Sequence, residues 1–283
     1  MPRTTTPAGV EIEYETFGAP SDPALLLVMG FTAQLIAWPE PFCRAIADGG
    51  RFVIRFDNRD CGLSSKFDGA TAASSAPYTL SDMSDDAFAL LSALNVETAH
   101  IVGASMGGMI AQVMAIEHPE RVLSLTSIMS TTGESEFGQA SPDAITVLLT
   151  PPPEGREAYL DASRDRLIFM SKRYGDADRV RTLSAAAYDR SYYPEGAIRQ
   201  FGAVMACGSR ADCLRSLATP TLVVHGLDDT LVDPSGGRRT AELVPGARLL
   251  EVEDMGHDMP EPLWPTLTSA ILEHTAAASV PTA

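Results

Sequence analysis

Residues 99–110, Ala99-His100-Ile101-Val102-Gly103-Ala104-Ser105-Met106-Gly107-Gly108-Met109-Ile110, carry a short β-like run into a helical one. The junction reads G-x-S-x-G, and a strand before it with a helix after it is the setting that makes this pattern a nucleophile elbow. The glycines have a physical reason. The serine sits in a strained turn, where side chains two residues to either side would collide with neighbouring backbone. The turn pushes the hydroxyl into the open. Because a serine hydroxyl is a weak nucleophile until a base takes its proton, the reading requires a histidine and a supporting carboxylate elsewhere in the chain.

Outward from the elbow, short apolar runs alternate with helical stretches, as in a wound α/β sheet. Val10–Phe17 alternates apolar and acidic residues like an exposed antiparallel strand. Ala24–Met29, Phe52–Phe56, Ala99–Val102, Val122–Ile128 and Thr221–Val224 read as buried strands, and Arg248–Val252 as the last one. Helices are expected at Ala33–Asp48, Leu80–Leu94, Met106–Glu117, Pro234–Leu243 and Pro262–His274. The pattern predicts an α/β fold with a mostly parallel central sheet flanked by helices.

Between Thr131 and Leu217 the strand rhythm is lost and the sequence turns helical and polar, with a break at Pro151-Pro152-Pro153. We read residues 131–217 as an inserted helical cap on a core made of 1–130 and 218–283. Of its aromatic residues, Tyr159, Phe169, Tyr188, Tyr192 and Phe201 are candidates to bind substrate. The plainer reading makes most such residues the cap's own core.

Five histidines compete to be the base. His100 lies inside an expected buried strand and His118 at a helix end before Pro119, both structural settings. His274, in the last helix near a polar tail, is expected to be solvated. His257 differs, because Asp254-Met255-Gly256-His257 follows the last strand, at the strand end where open α/β sheets gather their ligands. For the acid, Thr221–Val224 runs into His225-Gly226-Leu227-Asp228-Asp229. Spacing does not choose between Asp228 and Asp229, and His225 is expected to orient this loop. The chain order serine, aspartate, histidine is one of the known orders of such triads.

Composition sets outer bounds. The 283 residues are 45% hydrophobic and 20% charged, an ordinary globular make-up. The net charge of −16 opposes binding to phosphate backbones, so nucleic acid is not an expected partner. Residues 131–217 carry −1 of it and the rest −15, which suggests an entrance more tolerant of acidic or bulky substrates than the remaining surface. The start, Met1-Pro-Arg-Thr-Thr-Thr-Pro, has no apolar signal-like run and no apolar stretch is long enough to span a bilayer, so a cytoplasmic location is expected. Cys43, Cys61, Cys207 and Cys213 form no metal or redox pattern and read as reduced thiols; no metal or organic cofactor is expected.

Four blocks together carry a resemblance. Val28-Met29-Gly30-Phe31, Phe56-Asp57-Asn58-Arg59-Asp60-Cys61-Gly62-Leu63-Ser64, Gly103-Ala104-Ser105-Met106-Gly107-Gly108-Met109 and Met255-Gly256-His257 resemble the α/β-hydrolase superfamily, and within it actinobacterial carboxylesterases akin to aclacinomycin methylesterase. The resemblance extends from about Val10 to about His274. It implies a catalytic triad of Ser105, Asp229 and His257, with Asp229 chosen as the acid three residues after Gly226. It also implies an oxyanion hole at the backbone N–H groups of Phe31 and Met106. Many relatives have His-Gly where this chain has Met29-Gly30, so the hydrogen bonds of that histidine are absent here. Asp57 and Arg59 are expected to tie loops together. The implied function is hydrolysis of a small-molecule carboxylic ester, a methyl ester among the candidates. Carbon–carbon bond hydrolases, enol-lactone hydrolases and cofactor-free perhydrolases share the same elbow, and a non-catalytic binding protein is the remaining alternative.

Overall fold

The computed structural model describes residues 2–67 and 77–278, so Met1 of the opening stretch lies outside the described residues. In chain order they form β1 (Arg3–Thr5), β2 (Glu11–Phe17), β3 (Ala24–Val28), α1 (Glu40–Asp48), β4 (Phe52–Phe56), α2 (Leu80–Ala93), β5 (Ala99–Ala104), α3 (Met106–Glu117) and β6 (Val122–Ile128). There follow α4 (Pro142–Leu149), α5 (Arg156–Ala162), α6 (Ala177–Arg190), α7 (Gly196–Cys207) and α8 (Ala211–Leu214), then β7 (Thr221–Gly226), α9 (Ser235–Leu243), β8 (Arg248–Val252) and α10 (Trp264–Ala278).

The strands make one sheet in the order β1-β2-β4-β3-β5-β6-β7-β8. β1 and β2 enter antiparallel, and from β4 onward every pair is parallel. Pairing of Val28 with Gly103, Gly103 with Ser127 and Gly226 with Val252 brings the carboxyl ends of β3, β5, β6, β7 and β8 close to one edge. Loops leaving those strands therefore meet there, which is how distant residues come to share a site.

The period-2 rule of a strand explains both cores. Leu26, Val28, Ile54, Phe56 and Ile101 pack on one face with α2 and α3, while Leu25, Leu27, Val53 and Val102 pack on the other with α1 and α10. Buried on both faces, β3 and β4 read as near-continuous apolar runs. Each fully buried Leu, Ile or Val contributes about 1.5–3 kcal/mol relative to exposure. At the start of α2, Thr79 Oγ1 accepts from Asp82 N at 3.2 Å and Asp82 Oδ2 accepts from Thr79 N at 2.7 Å, a capping box that fixes where the helix begins.

Several expectations need correction. The helix expected at Ala33–Asp48 is a short 3₁₀ turn at Leu35–Ala37 followed by α1, because Pro39 forces the preceding residue out of helical geometry. The last helix begins at Trp264 after a 3₁₀ turn at Glu261–Leu263. β7 continues through His225 and Gly226, two residues expected in the following loop. The three-residue β1 was not anticipated. His274 is buried rather than solvated, with Nε2 donating to the Leu125 carbonyl at 3.2 Å, because this face of α10 lies against β6.

Residues 131–217 hold α4 to α8, and no strand is found there among the described residues. The two ends of the stretch meet: Arg210 N donates to Thr132 O at 2.9 Å, and the buried Arg210 guanidinium reaches Thr131 O at 2.7 Å and Gln112 Oε1 of α3 at 2.9 Å. Among the described residues no helix is long and apolar enough to cross a membrane.

Candidate active site

Ser105 stands between β5 and α3 with φ 56° and ψ −122°, a backbone conformation that non-glycine residues adopt only when their surroundings impose it. The surroundings are close. A Cβ on Gly103 would lie 2.1 Å from the Gly107 carbonyl oxygen, and one on Gly107 would lie 2.1 Å from the Val28 carbonyl oxygen. The elbow glycines are thus needed for close backbone approach. Ser105 N donates to Ile128 O at 2.9 Å and Ser130 Oγ to Ser105 O at 2.8 Å, which hold the strained peptide in place. Among the described residues, six non-glycine residues have positive φ, and Thr32, Asp60, Ser105, Met129 and Asp254 all follow strand carboxyl ends. Backbone strain is concentrated at one edge of the sheet.

His257, on the loop after β8, has Nε2 2.9 Å from Ser105 Oγ and Nδ1 2.7 Å from Asp229 Oδ2. Asp229 follows β7 and is buried; its Oδ1 accepts from Leu231 N at 2.9 Å and Val232 N at 2.8 Å. Burial pushes the Asp229 carboxyl up, but the neighbouring His257 and His225 outweigh it and hold the group at about 2. An ionised carboxylate only accepts, so Nδ1 of His257 carries the proton and Nε2 is left to accept from the serine hydroxyl. His225, fully buried, donates from Nε2 to Val232 O at 2.8 Å and comes within 3.5 Å of Asp229 Oδ2, so it does orient the acid loop. Asp228 turns elsewhere, accepting from Lys172 N and Nζ, each at 3.1 Å.

The loop after β3 lies against the serine. A Cβ on Gly30 would be 3.0 Å from Ser105 Cβ, which places the Gly30–Phe31 backbone beside the hydroxyl. Met106, the other expected donor, is the first residue of α3, where the backbone N–H has no partner within the helix. Asn58 Nδ2 donates to Met29 O at 2.8 Å, and Asp57 Oδ1 accepts from Leu35 N at 2.7 Å. Asp57 Oδ2 also accepts from Leu63 N at 2.8 Å and from Arg190 at 2.7 Å, while Arg59 donates to Asp86 at 2.6 Å and to Asp82 O at 2.9 Å. Asp57 ties loops together, as expected, whereas Arg59 ties its loop to helix α2.

Of the aromatic candidates, Phe169 meets the His257 ring edge to face at 6.3 Å and Phe201 meets Phe31 at 6.4 Å. Tyr159, Tyr188 and Tyr192 instead pack on one another, with centroids 4.3–5.4 Å apart. Segment 168–174 is clamped onto the loops that carry acid and base. His257 N donates to Phe169 O at 2.6 Å, Ser171 N to Asp258 Oδ1 at 2.8 Å, Ser171 Oγ to Asp254 O at 2.5 Å and Thr230 Oγ1 to Ile168 O at 3.0 Å. On the opposite side Arg199 of α7 grips both oxygens of the buried Asp60 at 2.8 and 2.9 Å.

Ser171, Arg199 and Gln200 were not anticipated as site neighbours. Arg199 and Gln200 are buried polar residues of α7 and Ser171 lies in the loop before α6, and no local pattern announces a partner more than 80 residues away. His100 and His118 stay apart, with His100 bonded to Ser124 Oγ at 2.8 Å and His118 packed on Phe88 at 4.9 Å. All four cysteines are free thiols.

A parallel sheet with a serine in the turn after its central strand and an acid and a histidine after its last two is the architecture of one large class, and the sequence places the chain in it. The chain belongs to the alpha/beta hydrolase fold family, whose profile matches residues 23–261. Among curated relatives it is 32% identical to rhodomycin D methylesterase DauP of Streptomyces sp. (strain C5), over 98% of this chain and 99% of that one. Rhodomycin D methylesterase DnrP of Streptomyces peucetius matches at the same 32% identity, with the same coverage of 98% and 99%. Among solved structures, a meta-cleavage product hydrolase of Pseudomonas fluorescens IP01 superimposes with a TM-score of 0.82 at 21% identity, covering 99% of this chain and 98% of that one. The last likeness is one of fold.

Proposed function

We propose that the protein is a serine carboxylic ester hydrolase, with Ser105 as nucleophile, His257 as general base and acid, and Asp229 as the carboxylate that orients and stabilises His257. The observation that carries this reading is the unbroken chain of hydrogen bonds Asp229–His257–Ser105 at 2.7 and 2.9 Å.

The Ser105 hydroxyl attacks the ester carbonyl as Nε2 of His257 takes its proton, and the imidazolium that forms is stabilised by the Asp229 carboxylate. The tetrahedral oxyanion is received by the backbone N–H groups of Phe31 and Met106, where the N-terminus of α3 adds its partial positive charge. A donor so placed is typically worth about 3 kcal/mol in the transition state. As the intermediate collapses, His257 passes its proton to the leaving alcohol. Water, deprotonated by the same Nε2, then attacks the acyl-serine, and the free acid leaves as Ser105 recovers its hydrogen.

Residues 131–217 act as a cap over a core of 1–130 and 218–283, a division supported by the meeting of the two ends of the stretch at Thr132 and Arg210. The substrate is a small-molecule ester, and the identity to two rhodomycin D methylesterases favours a methyl ester. Phe169 and Phe201, the aromatic residues in contact with His257 and Phe31, are the side chains best placed to touch it. Four free thiols agree with a reducing, cytoplasmic setting.

The test is intact-mass analysis after treatment with a fluorophosphonate, on the wild type and on Ser105→Ala, with the modified peptide located. The expected result is a single adduct on Ser105 that is absent from the variant, with ester turnover lost in parallel. Folded wild-type protein that forms no adduct overturns the reading in favour of a binding protein.

A further inference from the structure

The loop 29–35 has no histidine at its start, so something else must fix its shape. Its backbone groups around Phe31 are held one by one. The Met29 carbonyl accepts from Asn58 Nδ2 at 2.8 Å, the Thr32 carbonyl from Cys61 Sγ at 3.2 Å, and Ala33 N donates to Gly30 O at 3.3 Å. All of these partners belong to the stretch that precedes the elbow. The exception is the Thr32 N–H, which donates at 2.8 Å to Oε1 of Gln200, on α7.

Gln200 is fully buried, and its Nε2 donates at 2.9 Å to the Arg59 carbonyl. One end of the amide faces a donor and the other an acceptor, so its orientation is fixed by its partners. Thr32 sits at φ 56°, a left-handed conformation that a β-branched residue avoids unless neighbours enforce it. The flanking residues of α7 add to the grip, Phe201 packing on the Phe31 ring and Arg199 on Asp60. Three consecutive residues of α7 thus rest on the two loops beside the serine.

We infer that Gln200 is a positioning residue for the oxyanion hole: by holding the Thr32 N–H it keeps the Gly30-Phe31-Thr32 peptides turned so that the Phe31 N–H faces the developing oxyanion. This rests on the assignment of Phe31 as a donor made above. Helix α7 is then a built-in part of the catalytic apparatus, and a swing of α7 away from the core would dismantle the hole.

The experiment compares wild type, Gln200→Met and Gln200→Glu by fluorophosphonate titration of active sites, kcat and KM on an activated ester, the pH profile of kcat/KM, and inhibition by an alkyl trifluoromethyl ketone. The ketone adds to the serine to give an oxyanion that needs the same donors. Gln200→Met is expected to lower kcat per titrated site about 10- to 100-fold with KM within about threefold, and to weaken the ketone by the same factor as kcat/KM. The acid limb of the pH profile is expected to stay in place. Gln200→Glu keeps an acceptor for the Thr32 N–H and, as the neutral acid that burial favours, a donor for the Arg59 carbonyl, and is expected to recover most of the loss. A titratable Gln200→Met whose kcat/KM and ketone affinity stay within about twofold of wild type overturns the inference, as does a loss of rate with unchanged ketone affinity. Should Gln200→Met fail to fold, ketone binding by Gln200→Glu within about fivefold of wild type supports the inference and a loss beyond about tenfold overturns it. Wild-type protein that does not titrate overturns the assignment of Ser105 and this inference with it; an unaffected Gln200 variant overturns this inference alone.

Discussion

The backbone N–H of His257 donates to the carbonyl of Phe169 at 2.6 Å, and the two rings meet edge to face. Phe169 belongs to the stretch between β6 and β7, while His257 lies on the loop after β8, so the proposed base is held by a bond from outside its own loop. Ser171 ties the same segment to Asp254 and Asp258 on either side of the histidine. Exchanging this stretch for another would therefore disturb the proposed base.

Asp229→Asn is expected to separate geometry from chemistry. The amide oxygen can still accept from Leu231 and Val232, which keeps the acid loop in place. The amide nitrogen, however, would face His257 Nδ1 and favour the tautomer with the proton on Nε2, which cannot accept from the serine. We expect kcat to fall about 10³- to 10⁴-fold with the thermal midpoint shifted by only a few degrees. Steady-state kinetics beside a melting curve checks this, and retention of a tenth of the activity would remove Asp229 from the mechanism.

Ser105→Gly is expected to stabilise the fold while abolishing activity. Relief of the strained backbone at φ 56° is worth about 1–3 kcal/mol, against about 0.5–1 kcal/mol for the added freedom of glycine in the unfolded chain, a net gain of about 1 kcal/mol. Ser105→Ala keeps the Cβ and is expected to gain less. Urea midpoints of the two variants make the comparison, and equal midpoints would mean that Ser105 stores no strain.

Acid should weaken the fold well before the carboxylates titrate. Burial, together with the nearby charges of Arg51 and His274, lowers His100 from 6.5 to about 4, and burial lowers His274 as well. Between pH about 6.5 and 4 the unfolded chain binds a proton that folded His100 refuses, so stability declines as pH falls through that window and His100 costs nothing further below it. The His100 share is about 3 kcal/mol. Unfolding free energies from denaturant titrations at pH 7, 5.5 and 4 are expected to decline less steeply in His100→Gln. Identical slopes would refute the assignment.

The middle of the sheet was legible because its strands are buried on both faces, so that Ala24–Val28 and Phe52–Phe56 appear as plain apolar runs. The proposed serine and histidine stood out because each sits in a short loop just past a strand end, where chain order and setting carry information, whereas spacing left Asp228 and Asp229 open and the family resemblance chose Asp229. β1 left no trace, since three half-exposed residues at a sheet edge need no apolar pattern. His274 was misjudged because its helix ends near a polar tail, while the face it presents to β6 is set by packing. Gln200 was invisible for a related reason: its partners lie 141 and 168 residues away, and a buried amide on a helix has no local signature. The tyrosine group illustrates the same limit, since composition identifies aromatic residues but not which of them turn toward one another.

Three amide protons, those of Thr32, Ser171 and His257, are each held by a bond that crosses between residues 131–217 and the rest of the chain. None can trade its hydrogen for deuterium until that crossing bond breaks. Their exchange rates thus act as clocks for undocking, Thr32 timing α7 and the other two timing segment 168–174. If one clock runs faster than the other, it identifies the side from which the protein opens to admit its substrate.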